Sequence, residues 1–70
     1  MTSDGFRAVL KIWGLRYMRP SESGATLWLG RTGVVHWVPD VTSLSPDERR
    51  DFIHQMAERL GEAVPAEAAA

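Results

Sequence analysis

The side chains of this 70-residue chain that ordinarily titrate near neutral pH are its two histidines, His36 and His54. His36 stands between Val35 and Trp37 in an apolar run, which fits a half-buried, hydrogen-bonded sheet residue that could also touch a partner. His54 falls at the edge of the polar face of a predicted helix, a solvated position. Two histidines without cysteine or a nearby carboxylate motif do not make a metal site, so no metal is expected. Ser45 is the serine with the most evident role, but Pro46-Asp47-Glu48 follows it, and that pattern caps a helix rather than activating a nucleophile. No Gly-x-Ser-x-Gly elbow is present. The carboxylates Asp47 and Glu48, and again Asp51 and Glu58, belong to the start and solvent face of the same helix. Gly30-Arg31-Thr32-Gly33 lacks the Lys-Ser/Thr continuation of a phosphate loop and reads as a turn. Ser21-Glu22-Ser23-Gly24 is a polar connector. No catalytic residue emerges, and the expectation is a protein that is not an enzyme, with no cofactor and no small-molecule substrate.

Size supports that reading. Seventy residues hold one hydrophobic core, and a core of this size supplies roughly 3–5 kcal/mol unless a partner adds to it. There is little room for a pocket that buries a substrate. With no cysteine, disulfides and thiolate chemistry are absent. The 44% hydrophobic and 24% charged fractions are those of an ordinary globular domain, here expected over residues 1–61, with an Ala-rich flexible tail at 62–70. Uncharged stretches such as Thr32–Pro39 fall far short of the ~20 residues that span a bilayer. Asp4 sits where a secretory signal needs positive charge, and Lys11 and Arg16 interrupt any apolar run. A cytoplasmic protein with no membrane partner is expected.

Three elements must position whatever surface does the work. Ser45 as cap, Pro46 at the first helical position and Glu48 three residues after Ser45 form a capping box. Phe52, Ile53, Met56, Ala57 and Leu60 then follow at helical spacing, and Gly61 and Pro65 stop the run. The prediction is a helix over 46–60. Upstream, 25–30 and 34–38 are rich in β-branched and aromatic residues around Arg31-Thr32-Gly33, a β-hairpin with a three-residue loop. Residues 6–18 admit two readings. As a helix, Phe6, Val9, Leu10, Trp13 and Tyr17 make one stripe, but Leu15 and Met18 leave it and Gly14 interrupts it. As a strand, Phe6, Ala8, Leu10 and Ile12 alternate with Arg7, Val9, Lys11 and Trp13. The strand reading gives an α+β fold, a three-stranded antiparallel meander packed on one C-terminal helix (βββα). The alternative is αββα, with an N-terminal helix at 6–18.

In the βββα reading one sheet face presents Leu27, Leu29, Val35 and Trp37 to the helix. The other carries Arg7, Lys11, Trp13, Tyr17, Trp28 and His36, and one helix cannot cover both. The charge is divided as well. Residues 1–37 hold five cations (Arg7, Lys11, Arg16, Arg19, Arg31) against Asp4 and Glu22, a balance of +3. Residues 38–70 hold Arg49, Arg50 and Arg59 against seven carboxylates, a balance of −4. Trp, Tyr and Arg are the types enriched at protein–protein hot spots. The expected function is therefore a small adaptor or regulator, of an accessory bacterial or phage type. Its contact surface would be Arg7, Lys11, Trp13, Tyr17, Trp28 and His36, meeting a protein partner or a second copy in a homodimer. Nucleic acid is the alternative occupant, since single strands stack on exposed rings while cations meet phosphates, although a pI near 6.0 is low for such a domain.

Overall fold

Ser3–Ile12 is helical in the computed structural model, which describes residues 2–65. Thr2 caps this helix, α1, its hydroxyl accepting from the Gly5 N–H at 3.0 Å, and Asp4 adds favourable charge in the first turn. Phe6, Val9, Leu10 and Trp13 form its buried stripe. The far end closes on Gly14, in the left-handed region at φ +79°. There the Leu15 N–H donates to Leu10 O at 3.0 Å and the Gly14 N–H to Lys11 O at 2.9 Å, a Schellman closure that folds Leu15 back into the core beside Leu10.

The rest is a three-stranded antiparallel sheet and a second helix. Strands β1 (Arg16–Pro20), β2 (Thr26–Leu29) and β3 (Val35–Val38) lie in chain order as a meander. Helix α2 runs Pro46–Leu60, and short 3-10 turns occupy Glu22–Gly24 and Val41–Ser43. The capping box at Ser45 is complete: its hydroxyl accepts from the Glu48 N–H at 3.2 Å, while the Glu48 carboxylate accepts from the Ser45 N–H at 2.8 Å. The α+β class, the meander and the C-terminal helix are as expected from sequence.

The N-terminal region differs from the preferred expectation. A long strand over 6–18 does not form. The alternative's helix takes 3–12 and the first strand begins only at Arg16. Gly14 is the reason: it is a helix stop, not a bulge within a strand.

That change inverts the sheet. Tyr17 pairs with Trp28 and Trp28 with His36, so these three share a face, and Thr26 pairs with Val38 on the same side. It is this face that packs on the helices. Trp28 and Val38 join Phe6, Leu10, Ile53 and Met56 in one core. Leu27 pairs with Trp37 and Leu29 with Val35, and this second face points away from the core. The expected orientation, Leu27, Leu29, Val35 and Trp37 inward and Trp28 outward, is reversed. The reason is the stripe of α1, which needs a sheet face to bury it.

Past Gly61 the chain stays in contact with the domain. Ala63 O accepts from the Trp13 indole N–H at 3.1 Å, and Val64 packs on the core. Residues 66–70 of the expected tail lie outside the described residues.

Candidate functional site

Helix α1 crosses the Trp28 face of the sheet at one side, and between them lies a cleft of about 380 Å³. Its floor is Phe6, Leu10, Trp28, Val38 and Val41; its rim carries Arg7, Lys11, Tyr17 and Asp40. Arg7 and Lys11 are neighbours one helical turn apart on the exposed side of α1. Tyr17 is half exposed and stands edge-on to Trp28, with ring centroids 5.6 Å apart and planes at 79°. Trp28 itself is buried, and its indole N–H donates to Thr26 Oγ1 at 2.8 Å. The cleft thus gathers Arg7, Lys11, Tyr17 and Trp28, four of the six residues singled out from sequence.

The other two lie elsewhere. Trp13 is a core residue held by Ala63 O. His36 lies half-buried in a shallow depression of about 700 Å³ along β3, next to Trp37, Phe52 and Leu60 of the strand and α2. Trp13 and Trp28, expected to stand exposed, are buried by α1 and α2.

Asp40 is not among the residues singled out from sequence. The loop after β3 fixes its side chain: Oδ1 accepts from the Thr42 hydroxyl at 2.7 Å and from the Thr42 N–H at 3.1 Å. These two hydrogen bonds, the hydroxyl's first, hold the Asp40 carboxyl below its ordinary value, and the positive charge of Arg7 contributes in the same direction. The Asp-x-Thr spacing at 40–42 is the sequence signal for such a turn.

The outward face of the sheet is a second surface. Trp37 is 56% exposed, and Val34 and Val35 stand about half exposed beside it. Leu27 and Leu29 between them are half-buried. By register Arg16 is opposite Leu29 and Arg19 opposite Leu27, so two arginines line the β1 side of this apolar strip. A bulge at Met18 separates them, and that side chain is exposed too. Among the described residues the side-chain ion pairs are Arg31–Glu62 and Arg50–Asp47, so Arg16 and Arg19 are free of carboxylate partners. Sequence reasoning missed Trp37 because it assigned this face to the core.

Among the described residues no three His, Asp or Glu side chains converge as a metal site requires, and no helix is long and apolar enough to cross a membrane. The chain matches no protein-family model, no curated protein and no solved structure.

Proposed function

We propose that this protein is a small non-enzymatic interaction module, and that its outward sheet face binds a protein partner. The observation that supports this is Trp37, 56% exposed in an apolar strip with Leu27, Leu29 and Val35. A contiguous apolar surface on a domain of this size is a binding surface before it is anything else, and Trp is the side chain most enriched at the centres of such contacts. The function stays that of an adaptor or regulator with an aromatic and basic sheet face. The face is the one that carries Trp37, Arg16 and Arg19.

The charges choose the occupant. Arg16 and Arg19 border the strip without a carboxylate on the same face. A second copy stacked face to face would bring four guanidinium groups toward one interface. A partner with apolar residues flanked by Asp or Glu satisfies both the strip and its border. Nucleic acid fits less well: one Trp on this face gives a single stacking platform with two cations beside it.

The test combines capture with variants and a footprint. The wild-type chain on a resin should retain a protein that Trp37→Ala and the double variant Arg16→Glu/Arg19→Glu both release. The purified partner should then slow amide exchange at Leu27, Leu29, Val35 and Trp37 of the free module. A stable homodimer buried through these residues, retention of nucleic acid instead of protein, or a footprint confined to α2 would each overturn the reading.

A further inference from the structure

The cleft under α1 holds an arrangement that the outward face does not use. Arg7 and Asp40 both line this cleft, and the positive charge of Arg7 adds to the lowering of the Asp40 carboxyl. They do not form an ion pair within 4.0 Å, whereas Arg31–Glu62 and Arg50–Asp47 do. Asp40 is not free to swing across and close the gap. Both Thr42 hydrogen bonds go to Oδ1, which fixes the carboxylate and leaves Oδ2 without a hydrogen-bond partner. A cation and an anion that line one cleft without pairing with each other are complementary to a molecule that carries one charged group of each sign on the same carbon. An α-amino acid does: its carboxylate suits the guanidinium fork of Arg7, and its ammonium suits Asp40 Oδ2.

The rest of the cleft takes a side chain. Below the charged mouth lies the apolar floor that includes Trp28, and Tyr17 stands over it as an exposed ring fixed edge-on to the indole. A ring entering there meets the exposed Tyr17 ring, whose orientation is set by its edge-on packing on the buried Trp28. The volume of about 380 Å³ lies within the range of small-molecule sites and accommodates an amino acid with a large side chain. Lys11, one helical turn beyond Arg7, adds a second cation on the carboxylate side.

We propose that this cleft binds a free α-amino acid with an aromatic side chain, its head group held by Arg7 and Asp40 and its ring against Tyr17. No bond is made or broken; the site is a ligand site on an interaction module, independent of the outward face.

The experiment is an NMR titration of the ¹⁵N-labelled chain with L-phenylalanine. Saturable shifts are expected at the amides of Arg7, Tyr17, Gly24 and Asp40, with those of Val35 and Trp37 unmoved. N-acetyl-phenylalanine, which lacks the ammonium and mimics a peptide C-terminus, should bind at least about tenfold more weakly. L-phenylalaninamide, which lacks the carboxylate and mimics a peptide N-terminus, should do the same, since each loses one hydrogen bond between charged groups. Alanine, lacking the ring, should give no saturation in the same range. Asp40→Asn keeps an oxygen for Thr42 and so keeps the turn; it should weaken phenylalanine about tenfold or more and leave N-acetyl-phenylalanine unchanged. Arg7→Gln should do the reverse, sparing phenylalaninamide. The unperturbed part of each variant's spectrum reports that it is folded. Equal binding of phenylalanine and either blocked analogue, shifts centred on the outward face, or no saturable shift at all would each overturn the proposal.

Discussion

Replacing Gly14 with alanine tests the joint that ties α1 to the sheet, and its cost can be built from two parts. The first is the backbone. Gly14 sits at φ +79°, where an L side chain pays about 1–2 kcal/mol. The second is Arg31, at the tip of the β2–β3 hairpin, whose side chain lies across Gly14: a Cβ there would fall 2.8 Å from its Cγ and 2.9 Å from its Cδ. Arg31 would have to move away, giving up its Nη2 hydrogen bond to Ile12 O at 3.2 Å and its contact with Glu62 at 3.8 Å. The hydrogen bond contributes about 0.5–1.5 kcal/mol. The ion pair adds little, because the Arg31 side chain is 62% exposed. Gly14→Ala should therefore cost about 1.5–3.5 kcal/mol, the sum of the left-handed contribution and the hydrogen bond. Gly61 is the internal control: it stops α2 in the same left-handed conformation, φ +69°, with nothing within 4 Å of an added Cβ. Gly61→Ala should cost only the backbone part, about 1–2 kcal/mol. In an Arg31→Ala background, Gly14→Ala should fall to that same value, the missing difference being the coupling read by the double-mutant cycle. Urea unfolding followed by far-ultraviolet circular dichroism, with unchanged slopes, measures the wild type and all four variants. Equal costs at Gly14 and Gly61, with no coupling to Arg31, would refute this account of the joint.

Other expectations concern the core, the turns and the effect of pH. Trp28→Ala removes a side chain that is 5% exposed and leaves Thr26 and Tyr17 without their partner; at about 3–5 kcal/mol the loss equals the whole stability of a domain this size. That variant should be unfolded by circular dichroism and proton NMR dispersion, whereas Trp37→Ala should stay folded. Ser45→Ala should cost about 1 kcal/mol in urea unfolding by removing the cap of α2. Stability should also fall in acid. Hydrogen bonds with Ser45 lower the Glu48 carboxyl from its ordinary 4.5, the bond from the Ser45 N–H first, and those from Thr42 lower Asp40 from 3.8. A group with a depressed value in the folded state stabilises it above the ordinary value and loses that contribution as pH falls through the depressed one. The urea midpoint should therefore drop as pH descends below those ordinary values, and Glu48→Gln should flatten part of that drop. A midpoint that does not change across this range contradicts the role given to both turns.

Helix α2 and the hairpin were legible because their signals are local. The Ser45 box, the Pro46 start and the Gly61 stop each act within one turn, and nothing distant competes with them. The segment 3–12 was harder because its boundaries rest on Thr2 and Gly14, and either period fits the residues between them. With strand periodicity, Phe6, Ala8, Leu10 and Ile12 make a face; with helical periodicity, Phe6, Val9, Leu10 and Trp13 do, and the structure buries the second set. The choice of period then decides everything about the sheet. Of the six candidate site residues, Arg7, Lys11, Tyr17 and Trp28 converge on one cleft in spite of that, since α1 brings Arg7 and Lys11 over the Trp28 face from above instead of extending the sheet beside it.

The face that packs on α1 is also the one whose tryptophan has its polar atom satisfied. An indole brings an N–H with it, and burying that N–H without an acceptor costs about 1–3 kcal/mol. Trp28 carries its acceptor on its own strand: Thr26 is two residues earlier, hence on the same face, and the 2.8 Å bond from Nε1 to Oγ1 lets the whole side chain leave water. Trp13 finds Ala63 O across the core. The corresponding neighbour of Trp37 on its own strand is Val35, which offers no side-chain acceptor, and Trp37 is the one tryptophan left in solvent. The Thr-x-Trp against Val-x-Trp difference is visible in the sequence before any fold is known. It separates the tryptophan that builds the domain from the one available to a partner, and it does so by a requirement that hydrophobicity alone does not express.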